Sequence, residues 1–397
     1  MSFFFIGAFL GVLTGTTLFD NLGRKNVTAV LLLLVSLAAL ANGLVNNYTA
    51  MLVLRVVQGF GCFIVLCGIQ LMTVEFTPTG LRNIATVILS SFWTVGTYIA
   101  TAMCYLIQRW DHMFLAVAGV IFISLIPLLL LPESPRFQLI KGREIEAKAT
   151  FKKMAKIFNN PIDIDGFQLE FREYQKNYLC QLKDFIKYPQ MGKNTVLTFF
   201  CYMFLSAISY SLIYGWGSLG VDVFASVVIS ATIGLSASFT GYKYFLTEWV
   251  GRRKALSINF TMIAVLFLVG MIQVKLPKGW TLTQVMLMLS FPFMSSCWTA
   301  AFLLTSELAP TSHRGMIVCM NSAAARIGAF MGPYVSLLYN ELDTQYVLAV
   351  LALGPIIAAG LALLCPETAR KPIPSTPEEV GRLSDISDGE EKEGNVN

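Results

Sequence analysis

Residues 20–25 read DNLGRK, and residues 248–254 read EWVGRRK. An acidic residue, a glycine and an arginine recur at the same spacing, Asp20-x-x-Gly23-Arg24 and Glu248-x-x-Gly251-Arg252. The match extends outward. Behind the first come Glu75, Arg82 and LPESPR from Leu131; behind the second come Glu307, Arg314 and CPETAR from Cys365. Both glutamate-to-arginine intervals are seven residues. Four matched elements in one order describe two homologous halves, the pattern of transporters with parallel internal repeats.

What lies between the matched elements is apolar. The 397 residues are 55% hydrophobic and 13% charged, with mean hydropathy +0.63. A soluble domain carries about 25% charged residues, so this is a polytopic membrane protein. Eleven candidate spans follow, at 2–18, 28–46, 50–74, 84–107, 113–132, 195–216, 220–246, 255–275, 281–304, 316–339 and 344–365. Lipid leaves backbone polar groups only a helix or a closed barrel, and no period-two alternation is present, so every span is read as a helix. The expected class is an all-α membrane protein with two halves.

The basic residues sit in short clusters between spans, so the net charge of +5 reflects topology and not nucleic-acid binding. Arg24, Lys25, Arg82, the 133–193 insert, Arg252, Arg253, Lys254 and Arg314 share one side, which the positive-inside rule makes cytoplasmic. Arg109 and Lys275 are the main exceptions. The expected layout is an N-terminal half at 1–132, a cytoplasmic linker with short helices at 133–193, a C-terminal half at 194–370 and an acidic, disordered, cytoplasmic tail at 371–397. MSFFFIGAFLGVLTG lacks a basic start and is read as a transmembrane helix, not a signal peptide. The eight cysteines contain no CxxC, and His112 and His313 are far apart, so neither a disulfide framework nor a metal or cofactor site is expected. No nucleophile–base pair or phosphate loop is present, and an enzyme is not expected.

The two loop signatures resemble those of the major facilitator superfamily. More narrowly, SSFWTVGTYIATAMCYLIQRW (90–110), LPESPRFQLIKGREIEAKATFKKMAKIFN (131–159) and SELAPTSHRG (306–315) resemble the organic cation and anion transporter family (solute carrier 22-like). That resemblance implies two six-helix halves, with the family's first helix and its large cysteine-rich extracellular loop missing from this chain. Eleven transmembrane helices remain. Thr16 stands where the signature usually has glycine, and Glu248 where aspartate is more common.

The signature charges, Asp20, Arg24, Glu75, Arg82, Glu248, Arg252, Glu307 and Arg314, are expected to pair with one another or with helix dipoles at the cytoplasmic helix ends. They form a candidate gate between outward- and inward-open states; the plainer reading is surface pairs worth about 0–1 kcal/mol each.

Arg326, in AAARIGAFMGP (323–333), lies ten residues, roughly 15 Å, into its apolar segment, about half of the hydrocarbon thickness. A charge at that depth marks a cavity, a partner or a substrate path. No acidic residue of the spans lies at comparable depth, and Ala323, Ala324, Ala325, Gly328 and Gly332 are read as leaving room for solvent or ligand. By resemblance, this is the span where organic anion transporters carry an arginine and organic cation transporters an aspartate.

Tyr210, Tyr214, Trp93, Trp298 and Phe302 are candidate aromatic substrate contacts, suited to flat organic ions but equally to packing. Lys243 lies about two turns inside its helix, to face the cavity or to snorkel. Arg55 joins a polar network or snorkels, and Gly59 and Gly61 beside it are read as close helix packing. The expectation is a transporter of small organic anions working by alternating access, with an exchanged counter-anion or by facilitated diffusion. A cation or zwitterion carrier, and a truncated regulatory protein that does not transport, are the alternatives.

Overall fold

The computed structural model describes residues 2–77, 82–157, 178–215, 222–239, 249–272, 274, 281–310, 313–368, 374 and 377–380. Long helices run through them: α1 (Ser2–Leu22), α2 (Arg24–Leu44), α3 (Tyr48–Phe76), α4 (Arg82–Leu106) and α5 (Trp110–Leu130), then the short α6 (Pro135–Ile140), α7 (Glu144–Ile157) and α8 (Tyr178–Lys187). There follow α9 (Pro189–Gly215), α10 (Val223–Phe239), α11 (Arg252–Gly270), α12 (Leu282–Leu308), α13 (Arg314–Glu341) and α14 (Thr344–Leu363). Among the described residues, each of the eleven apolar windows has a helix running through it. Seven of these helices are long and apolar enough to cross a membrane by length and composition alone.

Several helices begin before their apolar windows do. The second window begins at 28 and its helix at Arg24, because the first turn is capped from a distant part of the chain, as described below. Apolar character on both faces explains why lipid is the surrounding medium. On α2, Val27, Leu31, Val35 and Ala38 are buried, while Val30, Leu33, Leu34, Leu37 and Leu40 are exposed. A helix in water would carry polar residues on that second face.

The chain divides into two compact units. The first takes in Phe3–Trp93 and the chain from Met103 through α7; the second takes in Thr94–Ala102 and α8–α14. In the first unit α2 packs against α3 and α5 around Phe19, Val27, Leu31, Ile64 and Val65. Helices α1 and α3 meet backbone to backbone. A side chain at Gly59 would strike the Phe4 carbonyl, and one at Gly7 the Val56 carbonyl. Gly61 lies under the Val35 side chain. These glycines are packing surfaces, as the sequence suggests.

In the second unit α13 lies along α9, and α11 packs against both α12 and α14. Leu205, Phe260, Phe267, Leu287, Leu304 and Leu348 are sealed in its core. Asn259 donates to Ser296, and Asn321 to Thr198 and Thr305, so these two buried asparagines find partners inside the bundle.

Candidate functional site

Each repeat signature builds the same junction within its own unit. At the start of α2, Gly23 has φ +97°; at the start of α11, Gly251 has φ +99°. Positive φ turns the chain sharply into the helix and leaves its first N–H groups pointing outward. Glu133, from LPESPR, brings its Oε1 to them and accepts from the N–H groups of Arg24 and Lys25 at 3.0 Å each, and from Ser134 at 2.9 Å. Glu367, from CPETAR, does the same, accepting from Arg252 at 2.8 Å, Arg253 at 3.4 Å and Thr368 at 3.0 Å. A carboxylate at a helix N-terminus meets both the orphan donors and the positive end of the dipole. A side chain on Gly23 would come within 2.5 Å of Glu133 Oε2, and one on Gly251 within 2.6 Å of Glu367 Oε2.

The arginine side chains turn the other way. Arg24 Nε stands 3.4 Å from Glu75 Oε1, its Nη1 donates to the Phe19 carbonyl at 3.0 Å, and its guanidinium lies 4.9 Å over the Phe137 ring. Arg252 Nε stands 3.2 Å from Glu307 Oε2, which also accepts the Thr368 hydroxyl at 2.6 Å. Arg24 is 5% exposed and Arg252 7%. These are buried pairs, not weak surface ones. Arg314 donates to the Ala309 carbonyl at 3.3 Å, closing the turn between α12 and α13.

Of the eight signature charges the structure thus joins Arg24 with Glu75 and Arg252 with Glu307. The side chains of Asp20 and Arg82 and the whole of Lys243 and Glu248 lie outside the described residues. Glu133 and Glu367 are the members that sequence reasoning missed. Their signal was the recurrence of Pro-Glu-Ser and Pro-Glu-Thr at matched positions.

Arg326 is buried, 8% exposed, twelve residues into α13. That helix has three faces. Ile327, Met331, Tyr334 and Leu338 are exposed and apolar, the lipid-facing pattern. Ala324, Ala325, Gly328 and Gly332 face the bundle core and α9. The third face, around Arg326, carries Cys319, Ser322, Phe330 and Pro333, all partly buried. The small residues therefore do not open space for a ligand, as the sequence suggested. A side chain at Gly328 would strike the Met203 carbonyl, and one at Gly332 would come within 2.7 Å of Tyr210 Cβ. They permit close approach of two helices, and Arg326 belongs to a different face.

Tyr210 and Tyr214 stack with ring centroids 6.2 Å apart. Trp298 spends its indole N–H on the Ser209 hydroxyl, 3.3 Å away, and meets Tyr202 edge-on. Phe302 is partly buried on α12, and Trp93 is exposed on α4. Arg55 lies 4.5 Å over the Phe114 ring, an aromatic contact in the N-terminal part of α3. Among the described residues no group of three or more His, Cys, Asp or Glu is arranged to hold a metal ion.

Two like helical bundles, each closing a buried Gly-Arg/Glu/Glu junction, define a multi-pass membrane protein with an internal duplication. The sequence profile of the Major Facilitator Superfamily matches residues 1–333, and the chain belongs to that superfamily. It is similar to solute carrier family 22 member 7 of Mus musculus, 28% identical across 96% of this chain and 70% of the relative. It is also similar to the organic cation transporter protein of Drosophila melanogaster, 26% identical across 95% of this chain and 70% of the relative. Solute carrier family 22 member 6 of Mus musculus is 24% identical across 99% of this chain and 72% of that protein. In fold it resembles the proton:xylose symporter XylE, with a TM-score of 0.70 at 16% identity, covering 96% of this chain and 88% of the other.

Proposed function

We propose that this protein carries small organic anions across the membrane by alternating access, with Arg326 as the substrate's counter-charge. One observation carries the reading. A permanently charged side chain is buried mid-helix, on a face of α13 that neither the lipid-exposed stripe nor the α9 contact occupies. A charge at such a position faces the bundle interior, where it pairs or lines a path for charge, and we read it as doing the second. Likeness to solute carrier 22 proteins over nearly the whole chain supports a small organic ion as cargo, and exchange for an intracellular anion is the coupling we favour. We read the protein as a plasma-membrane carrier with a cytoplasmic C-terminus, following the distribution of its basic residues. The Arg24–Glu75 and Arg252–Glu307 junctions serve, in this reading, as cytoplasmic gate elements that rigidify each bundle's helix ends.

The test is initial-rate uptake into proteoliposomes of a labelled aromatic carboxylate and a labelled quaternary ammonium, for the wild type and Arg326→Ala. Loss of anion uptake alone supports the assignment; undiminished anion uptake sinks it. The stacked Tyr210–Tyr214 pair favours a second reading, a cation carrier, because the outer faces of the two rings suit a flat cation. Quaternary ammonium uptake that survives Arg326→Ala and fails in Tyr210→Ala would select it.

A further inference from the structure

Each unit presents one isoleucine almost wholly to the outside on a short helix beside its membrane bundle. Ile145 on α7 and Ile186 on α8 are both 87% exposed. Neither helix is long enough to span a membrane, so neither residue is covered by the hydrocarbon core. Both stand among lysines. At about 100° per residue, Lys152 lies within roughly 20° of Ile145 around α7, Lys148 within roughly 60° and Lys153 within roughly 80°. Lys152 and Lys153 are exposed, and so are Lys141 and Arg143 just ahead of the helix. Ala147, Thr150 and Met154 occupy the opposite side, where Thr150 donates to Gln138 of α6 at 3.0 Å. Glu144 and Glu146 lie at roughly 100° to either side of Ile145, Glu146 beside Lys153, and Glu146 is engaged by Arg143 at 3.6 Å. On α8 the inner side holds Asp184, against His313 at 3.1 Å, and Phe185, packed edge-on against the same His313. Ile186 and Lys183 share the outer side, and Lys187 ends the helix two residues before the membrane helix α9 begins.

We propose that the outer faces of α7 and α8 lie on the anionic headgroup surface of the protein's own membrane, with Ile145 and Ile186 inserted and the lysines on lipid phosphates and carboxylates. An exposed apolar side chain with lysines beside it suits a helix lying in the membrane interface. Lysine stems add apolar length while their ammonium groups reach the headgroups. A soluble acidic protein would match the charge, but both helices stay close in sequence to bundle ends: α7 starts fourteen residues after α5 stops at Leu130, with α6 between, and α8 stops two before α9. That keeps them within reach of the bilayer surface. The inference does not depend on which ion the protein carries.

Hydrogen exchange read by mass spectrometry tests it on the full-length protein in nanodiscs of phosphatidylcholine, with or without phosphatidylserine. Phosphatidylserine should slow amide exchange in α7 and α8, by roughly fivefold for each lysine engaged, and leave α11 unchanged. Lys148→Gln/Lys152→Gln/Lys153→Gln should abolish the slowing in α7 and spare that in α8, and high salt should weaken both. Equal exchange in the two lipid compositions overturns the proposal whether or not the variant folds. So does slowing reproduced in phosphatidylcholine alone by free inorganic phosphate, which would assign the face to a soluble anion.

Discussion

Arg24 Nε lies 3.4 Å from Glu75 Oε1 with both side chains nearly sealed from solvent, 6% and 3% exposed. Removing the arginine strands a buried carboxylate, which costs about 3–5 kcal/mol where a pair is broken from one side. Arg24→Ala should therefore lower the thermal midpoint of the detergent-solubilised protein more than Arg24→Ala/Glu75→Ala does relative to Glu75→Ala alone. Strict additivity in this double-mutant cycle would show that the pair contributes nothing as a pair.

Glu133 and Glu367 cap helices from 109 and 115 residues away. Hydrogen bonds to a charged acceptor contribute about 1.5–3 kcal/mol, so Glu133→Ala and Glu367→Ala should each lower the melting midpoint and cell-surface yield. The two losses should add, since the junctions share no residue.

Position decides what a glycine tolerates. Gly23→Ala and Gly251→Ala place a side chain at positive φ and against a carboxylate, at a cost of at least about 1–2 kcal/mol. Gly96→Ala, in the interior of α4 with nothing within 4 Å of the added carbon, should be neutral or stabilising by up to about 1 kcal/mol. Equal melting curves for Gly23→Ala and Gly96→Ala would remove the role given to the turn.

At Arg326 the charge and the planar fork can be separated. Arg326→Lys should retain a measurable fraction of anion uptake, while Arg326→Ala should lose roughly tenfold or more, the scale of one buried charge contact. Surface labelling corrects each rate for protein at the membrane. A lysine variant as inactive as the alanine variant argues that shape, not charge, decides.

Trp298 is bonded to Ser209 inside its bundle. Trp298→Phe should cost about 1 kcal/mol of stability and leave substrate KM unchanged. A raised KM at unchanged stability would make Trp298 a substrate contact.

Much of this was legible in sequence because membrane helices obey one dominant rule. A long apolar window has to be helical, so among the described residues a helix runs through each of the eleven spans, and the differences lie at their ends. Recurrence at two places identified Arg24, Glu75, Arg252 and Glu307 before any geometry was known. Glu133 and Glu367 escaped because a cap supplied from more than a hundred residues away leaves no local periodicity. Gly328 and Gly332 were misread for a related reason. Small residues permit either a cavity or a touching helix, and only the neighbour, here Met203 and Tyr210 of α9, decides between them.

The long reach of those caps also sets an order of events during synthesis. When Gly23 and Arg24 leave the ribosome, the glutamate that will hold them lies 109 residues further along the message. At about 5–20 residues per second that is roughly 5–20 s of translation. Through that interval the start of α2 relies on water and lipid headgroups for its N–H groups. The start of α2 is capped only when α5 has been made and Glu133 follows it out, so one carboxylate ties the second helix to the synthesis of the fifth.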